Sequence, residues 1–179
     1  MKKHIVVGVT GSVACYKALD MIRGLREEGF SCEVILTKEA EEFIKPILFQ
    51  AVSGNKVISS DLFRLPEEWD SAHISISEKA DLVLVAPATA NIIGKVANGI
   101  CDDMLTCAIC AAKAPVLLVP AMNNNMYQNK IVQENIKKLK TYGYHFTGPI
   151  KGKLACGTEG LGHIQDTEII IKEARRLLK

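Results

Sequence analysis

Two short, unbroken apolar runs constrain this chain most: Asp81 to Ala86 (DLVLVA) and Pro115 to Val119 (PVLLV). A strand with one face in solvent alternates apolar and polar residues. A strand without that alternation is buried on both faces. Such strands need a helical layer on each side, so a parallel sheet is the expected architecture. His4 to Val9, Cys32 to Thr37 and Tyr144 to Thr147 read as further strands. Ala14 to Glu28 is helical, with Leu19, Ile22 and Leu25 at helical spacing and a stop at Gly29. Glu39 to Ser53 is a second helix, with Pro46 marking a break or a new first turn. Ile92 to Asn98, Asp103 to Ala112, Asn129 to Tyr142 and Asp166 to Lys179 complete the helices. Lys151 to His163 is glycine-rich and aperiodic, and reads as a loop. The sum is α/β: a flavodoxin-like or Rossmann-like parallel sheet with helices on both faces, in a single domain over residues 1–179.

Composition excludes several classes. A formal net charge of +2 gives no basis for nucleic-acid or membrane-surface binding. No apolar run nears the roughly 20 residues of a spanning helix. The N-terminal apolar run is too short for a signal peptide and lacks a small-residue cleavage site, so a cytoplasmic protein is expected. The six cysteines are then free thiols. Cys107 and Cys110 form a C-x-x-C pair, but inside an expected buried helix they read as small core residues.

In a doubly wound sheet, ligands bind beyond the carboxyl ends of the strands. The loop Gly8-Val9-Thr10-Gly11-Ser12-Val13-Ala14 lacks the third glycine of a dinucleotide fingerprint, and Thr37 stands where a ribose-binding acid would end the second strand. A glycine turn with a hydroxyl at a helix N-terminus suits the phosphate of a mononucleotide such as FMN, or simply a tight turn capped by Ser12. The next loop, Ala86-Pro87-Ala88-Thr89-Ala90-Asn91, would let backbone approach a flat ligand; Thr89 and Asn91 would bond a ring edge or cap a helix. In Pro120-Ala121-Met122-Asn123-Asn124-Asn125-Met126-Tyr127, Asn123 offers an uncharged donor and acceptor for a carboxylate, or opens an Asx turn. His73 is a candidate proton carrier, while His4, His145 and His163 read as structural. Cys156, in the glycine-rich segment, is the reactive side chain of an expected lid around residues 148–165.

Taken together, Pro87-Ala88-Thr89-Ala90-Asn91, Pro120 to Tyr127, Ala155-Cys156-Gly157 and the upstream His73 resemble the signature of the homo-oligomeric flavin-containing cysteine decarboxylases. Gly11-Ser12-Val13-Ala14 and Tyr16-Lys17 resemble that family's opening motif, and the likeness runs from about Lys3 to Gly162. The resemblance implies FMN at the subunit interface of a homotrimer or trimer-based assembly. It also implies decarboxylation of 4′-phosphopantothenoylcysteine to 4′-phosphopantetheine, on the route to coenzyme A. By position, His73 becomes the base, and Asn123 holds the substrate carboxylate with Met126, Ala155 and Gly157 beside it. Cys156 becomes the lid thiol that returns a proton or hydrogen. Gly11, Ser12, Thr37, Phe43, Thr89, Ala90, Asn91 and Ala121 fall at FMN contacts, and Asp102 at an acidic position near the flavin. No metal is implied, and a separate phosphopantothenate–cysteine ligase would supply the substrate. The sequence departs from the family pattern at Ile92, Tyr127, Thr158 and His163. The rival readings are a peptidyl-cysteine decarboxylase, a flavin prenyltransferase, and a non-catalytic flavoprotein regulatory subunit.

Overall fold

The computed structural model describes residues 2–58, 72–155 and 157–179, without the side chains of residues 72 and 73. Its centre is a six-stranded, all-parallel sheet. The strands are β1 (His4–Val9), β2 (Ser31–Leu36), β3 (Val57–Ile58), β4 (Leu82–Ala88), β5 (Val116–Pro120) and β6 (His145–Phe146), in the order β3-β2-β1-β4-β5-β6. All residues of β4 and β5 are buried, as two-sided burial of an unbroken apolar run requires.

Alternate residues of each strand feed two separate cores. On one face Ile5, Val7, Leu84 and Leu117 meet α1 (Lys17–Glu27), α3 (Pro46–Ser53) and α9 (Thr167–Leu177). On the other, Val6, Val83, Val85 and Leu118 meet α4 (Ala72–Lys79), α5 (Ala90–Ala97), α6 (Met104–Ala111) and α8 (Lys130–Thr141). Between β1 and β4 the strand order reverses, which opens a crevice above their carboxyl ends.

The break expected at Pro46 is present and divides Glu39 to Ser53 between α2 (Lys38–Phe43), capped by Thr37, and α3, which starts afresh with Pro46 in its first turn. Several other local expectations are corrected. The short edge strand β3 was not anticipated, since two residues carry no periodicity. The Asx turn opened by Asn123 leads into an extra helix, α7 (Asn124–Gln128). The glycine-rich segment is not a loop throughout: β7 (Ile150–Lys153) and β8 (Glu159–His163) form an antiparallel hairpin. The buried residues of β8 are Gly160 and Gly162, so it lacks the apolar alternation that marks a half-buried strand. Among the described residues no helix is long and apolar enough to cross a membrane.

The C-x-x-C pair does not sit in the core. α6 buries Met104, Leu105, Ala108 and Ile109, which leaves Cys107 half-buried and Cys110 exposed on the other side. Burial pushes the nearby Cys101 thiol up to about 11 and raises Cys107 as well. Both therefore stay protonated near neutral pH, unlike reactive thiols.

Candidate active site

The site grows from hydroxyl side chains at the ends of the central strands. Thr10 is buried, and its Oγ1 donates to the Pro87 carbonyl at 2.8 Å while accepting from the Thr89 N–H at 3.2 Å. One side chain thus ties the β1 loop to the β4 loop. Ser12 ties the β1 loop to the β5 loop: its hydroxyl accepts from the Ala14 N–H and donates to the Ala121 carbonyl, each at 3.3 Å. Thr37 and Thr89 cap α2 and α5 by accepting from the Ala40 and Ile92 N–H groups at 3.3 Å. Gly11 lies so near the first turn of α2 that an added Cβ would overlap Glu39 Cβ. Ser12, Thr37 and Thr89 cap helices, and they and Gly11 also face cavities.

The first cavity, about 220 Å³, lies over the crevice. Gly11, Thr37, Thr89, Asn91 and Met126 line it together with Thr10, Glu39, Ile92 and Asp103. Three threonines, an asparagine and the N-termini of two helices give it polar groups that could meet the tail of a mononucleotide, although two carboxylates share the wall. These acids are Glu39 of α2 and Asp103, which is next to the expected Asp102. Asp103 caps α6, with its carboxylate accepting from the Thr106 N–H at 2.8 Å, and pairs with Lys95 at 3.1 Å. Asp102 is exposed and pairs with Lys95 at 2.8 Å, which holds its carboxyl below the usual range. Burial pulls the Lys95 ammonium down, but the two carboxylates outweigh it and raise it overall. Ala90 opens α5 and Phe43 closes α2, exposed; neither lines this cavity.

The second cavity is larger, about 480 Å³, and begins one residue further along the β1 loop. Ser12, Ala121, Asn123 and Ala155 line it, with Lys17 of α1 and Lys153 and His163 of the hairpin. Asn123 Oδ1 accepts from the Asn125 N–H at 2.8 Å, the Asx bond that starts α7. Met126, expected beside Asn123, lies on the smaller cavity's wall instead. Among the described residues no acid lines the larger cavity. The hairpin is seated on the β5 loop: Met122 N–H donates to Gly162 O at 3.1 Å, and Leu161 N–H to Asn124 Oδ1 at 3.1 Å. The three basic residues were the missed lining. In the sequence Lys17 stands only in the Tyr16-Lys17 motif, and His163 reads as structural. What joins them is the hairpin, which the sequence conceals.

His73 lies in α4, its side chain outside the described ones, and Cys156 is outside the described residues. The flanks of Cys156 differ: Ala155 lines the larger cavity, whereas Gly157 is exposed with φ 86°.

The model of the Flavoprotein family matches residues 1–179. The coenzyme A biosynthesis bifunctional protein CoaBC of Borreliella burgdorferi is 45% identical over 170 residues, which are 95% of this chain and 43% of that protein. This chain thus spans under half the length of that relative. A cysteine-to-serine mutant of a PPC decarboxylase, complexed with pantothenoylaminoethenethiol, superposes with a TM-score of 0.87 at 27% identity, over 98% of both chains. The FMN-dependent cysteine decarboxylase SpaF superposes with a TM-score of 0.83, also at 27% identity, over 99% of this chain and 98% of its own.

Proposed function

This chain belongs to the Flavoprotein family, and from that premise we propose that it binds FMN and decarboxylates 4′-phosphopantothenoylcysteine to 4′-phosphopantetheine, a step of coenzyme A biosynthesis. The observation that carries the reading is the larger cavity: an asparagine at the β5 end, lysines and a histidine on the other walls, and no acid among the described residues that line it. A substrate with an anion at each end suits that lining. A peptide ending in cysteine needs only the first anion site, so the basic wall favours the small phosphorylated substrate. The 45% identity to a CoaBC protein and the likeness to a PPC decarboxylase support the same choice.

Bound FMN would supply the hydride acceptor that a cysteine unit needs before its carboxylate can leave as CO2. Gly11, Thr37, Thr89 and Asn91 would hold its polar tail and Ser12 and Ala121 its ring side, since these residues line adjoining cavities. Asn123 would orient the substrate carboxylate through its amide. His73 would take the substrate's proton, and Cys156 would return one at the end of the cycle. Exposed Val13, Tyr16, Phe43, Ile100 and Met126 support a trimeric assembly that covers them. The free thiols of Cys15, Cys32, Cys101, Cys107 and Cys110 suit a cytoplasmic setting.

The test is direct. The purified protein should be yellow and should release CO2 and 4′-phosphopantetheine from 4′-phosphopantothenoylcysteine; His73→Asn should stay yellow and lose turnover. A yellow wild-type protein inert to that substrate would overturn the assignment.

A further inference from the structure

The ring of His163 bridges two elements that are far apart in sequence. Its Nε2 lies 3.2 Å from Lys17 Nζ, and its Nδ1 lies 3.1 Å from the Lys153 carbonyl. A lysine ammonium only donates, so Nε2 accepts; a carbonyl only accepts, so Nδ1 carries the ring proton. Both contacts are met by that one tautomer. Lys17 begins α1, Lys153 ends β7 and His163 ends β8, so the ring fastens both hairpin strands to the helix that follows the β1 loop. All three residues line the larger cavity. The backbone around His163 is fixed as well. An added Cβ at Gly162 would overlap the Met122 carbonyl, and one at Gly152 would come within 3.1 Å of His163 Cβ and Cγ. The backbone that carries the ring is therefore closely packed on both sides.

We propose that His163 is a positioning residue: it holds the Lys17 ammonium at the wall of the larger cavity and makes that placement depend on the seated hairpin. A free lysine side chain samples many rotamers and loses that freedom when it meets an anion. An acceptor that fixes the ammonium beforehand removes part of this cost. Because the same ring is bonded to Lys153, a displaced hairpin releases Lys17 too. The proposal rests on the decarboxylase reading for its substrate, but the clamp itself does not.

The experiment has two arms. In the first, KM and kcat are measured for 4′-phosphopantothenoylcysteine and for unphosphorylated pantothenoylcysteine. His163→Leu should raise KM for the phosphorylated substrate by up to about tenfold, the cost of ordering one rotamer-rich side chain on binding. It should leave kcat, and both constants for the unphosphorylated substrate, within about twofold. His163→Gln offers an acceptor and a donor on one side chain and should restore most of the loss. Equal losses for both substrates, or no rescue by glutamine, would reduce His163 to a structural role. The second arm needs no turnover. Long-range proton–nitrogen spectra of ¹⁵N-histidine-labelled protein should show the His163 proton on Nδ1, and Lys17→Met should shift that signal. A proton on Nε2, or a signal indifferent to Lys17→Met, would overturn the clamp. A wild-type protein that binds flavin, shows the tautomer and turns over neither substrate would keep the clamp and sink the decarboxylase reading.

Discussion

The two walls of the larger cavity are built by different means. The strand-end wall, with Ser12 and Ala121 to Asn123, grows out of the best-buried strands of the sheet, and Thr10 and Ser12 lace its loops together. The hairpin wall has half-buried and exposed strand positions broken only by two buried glycines. It is held by one seam to the β5 loop and by the His163 ring. The first wall can orient a reacting group without rearranging. The second is joined to the sheet only through loops, so weakening its seam should change substrate binding before it changes the sheet.

Changing the charge at the fixed wall should have the largest effect. Asn123→Asp keeps a side-chain oxygen for the Asx bond to Asn125, so the thermal midpoint should hardly move. It sets a carboxylate against the substrate's own. We expect turnover to fall by about 10²–10³, the cost of losing one well-placed donor to an anion, while the protein stays yellow. Near-normal turnover would mean that the substrate carboxylate lies elsewhere.

The seam of the other wall comes next. In Gly162→Ala the new methyl meets the Met122 carbonyl, which is backbone and cannot swing aside. Overpacking of this kind costs about 1–3 kcal/mol. Calorimetry should find the midpoint lowered by about 2–12 °C, and KM should rise more than kcat falls. If kcat collapses and KM holds, the hairpin belongs to the fixed machinery and the contrast between the walls fails.

Thr10→Val tests the lacing of the fixed wall. Valine fills the space but orphans the Thr89 N–H and the Pro87 carbonyl. We expect a loss of about 2 kcal/mol by denaturant titration, with weaker FMN retention, because Thr10 and Thr89 both line the smaller cavity. A variant that keeps both stability and flavin would show that the two loops hold without this side chain.

The same contrast explains what could be read from sequence. The sheet was legible because β4 and β5 are unbroken apolar runs and α1 repeats Ile22 and Leu25 at helical spacing. That Gly11, Ser12, Thr37, Thr89 and Asn123 line cavities at the strand ends followed from those strands, since ligand loops sit at their carboxyl ends. The hairpin was illegible because its buried positions, Gly160 and Gly162, carry no apolar side chain, and its contacts to Met122 and Asn124 run through backbone and one amide. Without the hairpin, Lys17, Lys153 and His163 had no reason to be grouped. The sequence likewise does not distinguish Asp102 from Asp103: adjacent acids look alike until the cap on Thr106 turns one of them toward the smaller cavity.

The smallest effect lies at the sheet's other end, where neither wall reaches. Asp81 precedes β4 and accepts from the His4 N–H at 2.8 Å and from Lys3 Nζ at 2.9 Å. The His4 N–H, and then Lys3, hold its carboxyl below the usual range. A depressed carboxyl contributes stability above the unfolded-state value near 4 and loses it as pH falls through the folded one. The group is exposed enough for water to screen most of the ion pair, and asparagine still accepts from His4. Asp81→Asn should therefore cost under about 1 kcal/mol near pH 6. The gap between wild type and variant should close as the pH drops below about 4. Turnover at pH 7 should be unchanged, because the amino ends of β1 and β4 are separated from both cavities by the full length of the strands. If Asp81→Asn instead altered KM, the amino end of the sheet would be coupled to the ligand walls, and neither wall could be treated apart from the sheet beneath it.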